Sequence, residues 1–135
     1  MALLLDTGVL YALADADDAW HLRCRDFLAA NQELLLVPVT VLPEVTYLLH
    51  ERLGREAERL FVKSLCAGEF SVEPLQAGDL DRSLELLSVY PAIGFVGATV
   101  AALGERLRLP SLVTTDRRHF SALRPAHRPA FELLP

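Results

Sequence analysis

Three acidic residues follow apolar segments that lie far apart in the sequence. Asp6 directly follows the run LLL at 3–5, Glu44 comes after the run LLLV at 34–37, and Asp116 directly follows SLVTT at 111–115. Short apolar runs without alternation are typical of strands that are buried on both faces of a parallel sheet. Because the carboxyl ends of parallel strands lie along one edge of a sheet, we expect the three carboxylates to converge there.

A cluster of carboxylates favours one kind of chemistry. Two negative charges about 4 Å apart repel by about 4 kcal/mol at an effective dielectric constant near 20, so such a cluster needs protons or a cation. Oxygen ligands without histidine or cysteine favour Mg²⁺ or Mn²⁺ over zinc. Such an ion polarises a phosphoryl oxygen and activates a water molecule. The residues therefore predict metal-assisted hydrolysis of a phosphodiester.

Hydroxyl and basic side chains next to the acids suit the same reaction. Three hydroxyl residues are placed to orient ligands or water, and these are Thr7, Thr114 and Thr115. Three basic residues are candidates to hold phosphate groups, and these are Arg117, Arg118 and Arg124. We predict no catalytic role for His119, because neighbouring loop residues rarely face one another.

Simpler interpretations of the acids stay open. Asp6 or Thr7 could cap the helix that follows. Glu44, which we expect to be half-buried, could be a favourable acid in a first helical turn.

Other reaction classes fit the sequence less well. The glycines are isolated, so no phosphate-binding loop of the Walker or dinucleotide type occurs. Aspartyl-phosphate phosphatases need a second acid two positions after the first, where this chain has Gly8. Serine-histidine catalysis lacks a nucleophile elbow. A metal-dependent phosphatase that acts on small phosphoesters remains an alternative.

The composition predicts one globular domain over residues 1–135. No apolar run is long enough for a membrane span and no basic region precedes the first leucines, so we expect a cytoplasmic protein without membrane contact. The net charge of −5 argues against a large non-specific nucleic-acid surface, although the arginines from residue 106 onward make one end basic. Cys24 and Cys66 are predicted to be buried free thiols.

The hydrophobic pattern predicts an α/β protein, a three-layer α/β/α domain with a mostly parallel central sheet. A helix should follow Gly8, and further helices are expected over 19–30, 40–53, 56–67, 79–90 and 94–103. Short edge strands are expected over 70–73 and 131–134. Leu60, Phe61 and Leu65 should face the core, and Asp79 and Asp81 should be the cap and first-turn residues of the helix over 79–90.

Four segments together resemble the PIN-domain nucleases, and in particular the VapC toxins of bacterial toxin–antitoxin pairs. They are LLLDTGVLYAL, VTVLPEV, YPAIGFVGATVAALGERLRLP and LVTTDRRHF. The resemblance implies a PIN fold, an Mg²⁺- or Mn²⁺-dependent endoribonuclease, a homodimer and inhibition by a cognate VapB-like antitoxin. It implies a structured RNA substrate (tRNA, rRNA or mRNA) and an acidic site that includes Asp6, Glu44 and Asp116.

Gly97 departs from this resemblance. In the corresponding GFVDA-like motif of the family, an acid that is ordinarily a metal ligand stands at this position. Glycine inside a helix also costs about 0.5 to 1 kcal/mol relative to alanine. Three interpretations stay open: an inactivating substitution in a toxic protein, a natural variant that binds metal weakly, and a catalytically silent PIN module that binds RNA or an antitoxin. We expect impaired activity.

Overall fold

A computed structural model describes residues 1–135 and contains five short strands and seven helices. The strands are β1 (Ala2–Leu5), β2 (Leu34–Pro38), β3 (Ser71–Glu73), β4 (Ser111–Val113) and β5 (Glu132–Leu134). The helices are α1 (Thr7–Ala14), α2 (His21–Ala29), α3 (Val41–Leu53), α4 (Arg55–Cys66), α5 (Ala77–Val89), α6 (Phe95–Arg106) and α7 (Arg117–Ala122).

The strands form a single sheet in the order β3-β2-β1-β4-β5, and every neighbouring pair is parallel. The central strand β1 pairs with β2 on one side and with β4 on the other, where Leu5 lies opposite Val113. Leu4 and Leu5 are completely buried, as expected of a strand covered by helices on both faces. The predicted three-layer fold is confirmed, and both edge strands are parallel as well.

Helix α6 packs closely against the sheet because its inner face carries small side chains. Ala98 and Ala101 are fully buried in the core. A Cβ atom added at Gly104 would lie 3.0 Å from the ring of Phe131 and 3.3 Å from a methyl group of Leu112. The helix therefore sits close enough to the sheet to bring its first turn to the edge where β1 and β4 end.

Helix α5 begins two residues before the predicted start, because Gln76 and Asp79 form a reciprocal capping box. Gln76 rather than Asp79 is the N-cap, so Asp79 lies in the first turn of α5 and Asp81 lies beyond that turn. The side chain of Asp79 is almost fully buried, and its two carboxylate oxygens share the single Nε–H of Arg106, at 3.0 and 3.1 Å. This ion pair connects Asp79 of α5 with Arg106 of α6.

Two predictions of burial in α4 were wrong. Leu60 is 50% exposed, and the thiol of Cys66 is exposed, whereas Cys24 is buried as predicted. Helix α4 packs mainly on α3 and buries no residue completely, since no other element covers its outer side. None of the helices has the length and apolar character that a membrane crossing requires.

Candidate active site

A pocket of about 290 Å³ opens at the edge of the sheet where β1 and β4 end. Asp6 and Asp116 line it from these strand ends, Glu44 lines it from the first turn of α3, and Gly97 from the first turn of α6. We call it the acidic pocket. The three acids therefore line one pocket at this edge of the sheet, as predicted, with Glu44 contributed by a helix.

Asp6 is the most buried acid of the pocket, with only 8% of its surface exposed. The backbone N–H of Thr7 donates to its Oδ1 at 2.8 Å, and the hydroxyl of Thr114 donates to its Oδ2 at 3.1 Å. Burial nevertheless raises the pKa of Asp6 to about 6, and the negative charges of Glu44 and Asp116 act in the same direction. Asp6 is thus both the N-cap of α1 and a pocket acid.

Asp116 caps α7 and is held by His119. The backbone N–H of His119 donates to Oδ1 of Asp116 at 3.1 Å, and the ring Nδ1 lies 2.9 Å from Oδ2. The expectation that these neighbours would not face each other was wrong. Residues 117–122 form a short helix rather than a loop, and a helix brings a residue next to the one three positions before it.

Glu44 is exposed at the mouth of the pocket, so its predicted half-buried position was wrong. Its helix begins after Thr40, whose hydroxyl does not cap the helix. The hydroxyl of Thr99 donates its single proton to the carbonyl of Val96 at 2.7 Å. In the contact between the two threonine hydroxyls, also at 2.7 Å, Thr40 is therefore the donor and Thr99 Oγ1 the acceptor. This bond fixes the start of α3 against α6 and brings Glu44 and Gly97 to the same pocket.

The donor atoms of the acidic pocket suit a hydrated hard cation. All three side chains offer carboxylate oxygens, which Mg²⁺ and Mn²⁺ prefer. The chain has no group of three acidic, histidine or cysteine side chains close enough together to hold an ion. Mg²⁺ commonly keeps several water ligands and binds through one or two carboxylates, which Asp6 and Asp116 can provide.

Gly97 lies where a further carboxylate would enter the pocket. A Cβ atom at this position would lie 3.0 Å from Cγ1 of Ile93 and 3.8 Å from Cζ of Phe120. The Cβ atom of an aspartate is therefore accommodated if Ile93 moves by a few tenths of an ångström. Gly97 lines the acidic pocket, so a side chain at this position would start at the pocket wall.

None of the three predicted hydroxyl residues lines the acidic pocket, and only Thr114 bonds one of its acids through the hydroxyl. Thr114 accepts a hydrogen bond from the backbone N–H of Asp116 at 3.0 Å while it donates to Asp6, so it connects the two strand ends. Thr115 packs against Gly8, where an added Cβ would lie only 2.2 Å from Oγ1. The Thr7 hydroxyl is buried without a hydrogen-bond partner.

The three predicted arginines differ in what they contact. Arg117 donates to the carbonyls of Leu133 and Pro135, and its guanidinium lies 5.5 Å from the centre of the Trp20 ring. Arg124 donates to backbone carbonyls of its own turn. Arg118 is exposed and has no ion pair or side-chain hydrogen bond. None of the three lines the acidic pocket, whereas His119, which we did not predict as a site residue, does.

Comparisons with known proteins show the family of this chain. The family model for the PIN domain matches residues 3–124. Ribonuclease VapC26 of Mycobacterium tuberculosis is 30% identical over 135 residues, which cover 98% of this chain and 100% of the relative.

Solved structures share the fold. The crystal structure of VapC20 from Mycobacterium tuberculosis, described as a toxin that cleaves the sarcin-ricin loop, matches with a TM-score of 0.80 and 23% identity over 89% of this chain and 94% of that chain. A toxin–antitoxin complex from Klebsiella pneumoniae matches with a TM-score of 0.69 and 18% identity over 96% of this chain and 99% of that chain. The family model and the full-length ribonuclease relative show that the chain belongs to the PIN-domain family, among its VapC-type members.

Proposed function

We propose that this protein is a VapC-type endoribonuclease toxin that hydrolyses phosphodiester bonds of structured RNA with Mg²⁺ or Mn²⁺, and that Gly97 impairs its activity. The observation that carries the proposal is the acidic pocket, which Asp6, Glu44 and Asp116 line together with Gly97. The ribonuclease relative supports the nuclease assignment.

The proposed roles follow from how each acid is held. Asp6 and Asp116 would hold the ion, because hydrogen bonds from Thr114 and His119 fix the directions of their carboxylates. When bound, the ion polarises a phosphoryl oxygen and lowers the pKa of a water molecule. Glu44, exposed at the mouth of the pocket, would position water or the ion. Above a pH of about 6, Asp6 is ionised and free of the competing proton.

The proposed protein partner is a VapB-like antitoxin. Related folds include a toxin–antitoxin complex from Klebsiella pneumoniae and VapBC2 from Rickettsia felis, solved with a promoter DNA fragment. An apolar groove of about 400 Å³ between α1 and α4 offers a surface for such a partner. The exposed Leu80, Leu84 and Val89 on α5 support the proposed homodimer.

The catalytically silent module is the second candidate, and Gly97 is the observation that favours it. A PIN fold that lacks one ligand could still bind RNA or an antitoxin through its surface. Cleavage separates the two candidates, because the silent module gains no activity when the acid is restored.

The test compares RNA cleavage by this chain, by Gly97→Asp and by Gly97→Asn, each with Mg²⁺, Mn²⁺ or EDTA. The asparagine variant has the same shape as the aspartate variant without its charge. We expect the aspartate variant to cut RNA at least ten times faster than the other two, and only with metal. Equal rates for the aspartate and asparagine variants would show that an acid at position 97 does not act as a metal ligand.

If no variant cuts RNA but all of them bind it, the silent module replaces the enzyme. Hydrolysis of p-nitrophenyl phosphate without any RNA cleavage would instead favour the small-molecule phosphatase.

A further inference from the structure

A second hollow, of about 230 Å³, lies beside the acidic pocket. The turn at residues 90–93 forms one wall, and Arg118, His119 and Ala122 of α7 form the other. We call it the side hollow. It shares Ile93 and His119 with the acidic pocket, so the two depressions are adjacent on one surface.

The chemistry of the side hollow suits a planar base. Its walls are largely apolar, with Pro91, Ala92 and Ala122 among them. Tyr90 adds a hydroxyl oxygen that accepts the backbone N–H of Arg124 at 2.9 Å, which leaves the hydroxyl proton available for a ligand. A base offers an apolar face for packing and polar edges for hydrogen bonds.

A cation without a partner stands at the rim of the side hollow. Arg118 is exposed and makes no hydrogen bond through its guanidinium. The guanidinium groups of Arg117 and Arg124, in contrast, donate to backbone carbonyls. In a chain with a net charge of −5, an unpaired guanidinium next to an acidic pocket favours an anion beside that pocket. Guanidinium groups match the geometry of phosphate oxygens.

His119 separates the two depressions and leaves one side of its ring free. Its Nδ1 is held by Asp116, while Nε2 has no partner within the protein. An RNA strand with one phosphate over the acidic pocket would therefore pass His119 before it reaches Arg118.

We propose that the side hollow binds the nucleoside adjacent to the scissile phosphate, and that Arg118 binds the next backbone phosphate. This inference rests on the proposed ribonuclease function. A base can enter the hollow only if it is unstacked, so the proposal restricts cleavage to an unpaired nucleotide of a loop or bulge. The free cation and the continuity with the acidic pocket favour a nucleotide over an apolar peptide.

The test uses the Gly97→Asp form, whose activity reports on the hollow, and an RNA stem-loop that it cuts at a mapped position. Ala122→Phe fills the hollow from an exposed position, and Ala92→Phe fills it from the opposite wall, so the test does not depend on the folding of one variant. Arg118→Ala removes the cation. Arg55→Ala is its matched control, since Arg55 is exposed, unpaired and outside both depressions.

We expect each phenylalanine variant to raise KM about ten-fold, because the side hollow then no longer binds the base and the contribution of one packed base is lost. Removal of the base next to the cleavage site, as an abasic nucleotide, should raise KM by a similar factor for the parent and leave the phenylalanine variants unchanged. Arg118→Ala should raise KM by about three-fold or more and reduce the salt dependence of RNA binding by about one phosphate contact, and Arg55→Ala should do neither.

The outcomes separate this inference from the function on which it rests. If Gly97→Asp does not cut RNA, both are overturned. If it cuts RNA but abasic substitution and both phenylalanine variants leave KM unchanged, the side hollow is not a nucleoside site, and the ribonuclease function stands. Equal effects of Arg118→Ala and Arg55→Ala would overturn the phosphate contact.

Discussion

The carboxylate of Asp116 is held at both of its oxygens by His119. The backbone N–H donates to Oδ1 at 3.1 Å, and the imidazole Nδ1 lies 2.9 Å from Oδ2. The backbone contact persists with any side chain at position 119, whereas the second contact depends on the imidazole. The orientation of one proposed ligand therefore depends on a single ring nitrogen.

We expect His119→Ala to weaken metal binding, because Oδ2 of Asp116 loses the donor that orients it. In the Gly97→Asp background, the Mn²⁺ concentration for half-maximal cleavage should rise by about 10- to 100-fold. His119→Asn, whose amide can still donate, should recover part of the loss. His50→Ala is the control, since His50 pairs with Glu58 outside the pocket. An unchanged Mn²⁺ requirement in His119→Ala would show that the contact is only structural.

Asp6 should make the stability of the protein depend on pH. Burial raises its pKa from 3.8 to about 6, so the folded state holds the proton more tightly than the unfolded chain. The tighter binding of this proton stabilises the folded state. This stabilisation is fully present below a pH of about 4 and is lost as the pH rises through about 6. A shift of this size corresponds to about 3 kcal/mol in the free energy of unfolding.

Urea unfolding in EDTA at several pH values measures this effect. Asp6→Asn removes the ionisation, so it should lack this part of the pH dependence and should be more stable than the parent above pH 6. Asp81→Asn, at an exposed position on α5, should keep the pH profile of the parent. If the profiles of Asp6→Asn and the parent coincide, the raised pKa is wrong.

Arg117→Ala should destabilise the fold rather than weaken RNA binding. Its guanidinium connects α7 to the carbonyls of Leu133 and Pro135 and to the ring of Trp20. Loss of these contacts should lower the free energy of unfolding by about 1 to 3 kcal/mol. The salt dependence of RNA binding should stay that of the parent. A reduced salt dependence with unchanged stability would restore our first interpretation of Arg117 as a phosphate ligand.

Gly8 and Thr115 should be energetically coupled. An added Cβ at Gly8 would lie 2.2 Å from Oγ1 of Thr115, so Gly8→Ala must displace that side chain next to Asp116. In the parent, Gly8→Ala should cost about 1 to 3 kcal/mol. In a Thr115→Ala background the clash disappears, and alanine should stabilise α1 by up to about 1 kcal/mol. A double-mutant cycle with no coupling energy would contradict the close contact.

The sequence predicted those parts of the site that depend on strand ends. The buried runs before Asp6 and Asp116 are confirmed as β1 and β4, since continuous apolar residues between polar breaks leave few other structures. The exposure of Leu60 was not predictable, because the apolar face formed by Leu60, Phe61 and Leu65 requires only that some partner cover α4. The pattern does not say whether that partner belongs to the same chain.

The contacts of His119 and Arg117 escaped prediction for a different reason. Helix α7 has only six residues, too few to show a helical period, so nothing indicated that His119 would turn back to Asp116. The direction of a long arginine side chain is set by acceptors that are distant in sequence. For Arg117 these are the carbonyls of Leu133 and Pro135, and only the fold brings them near.

The hydrogen bond from Thr114 to Asp6 joins residues that are 108 positions apart in the chain. A ribosome that adds about 5 to 20 residues per second needs on the order of 10 s to make the second partner after the first. During that time the nascent chain holds Asp6 without the strand that completes the pocket. A toxic activity built in this way cannot begin on the unfinished polypeptide, which gives an inhibitor time to be present before the enzyme is complete.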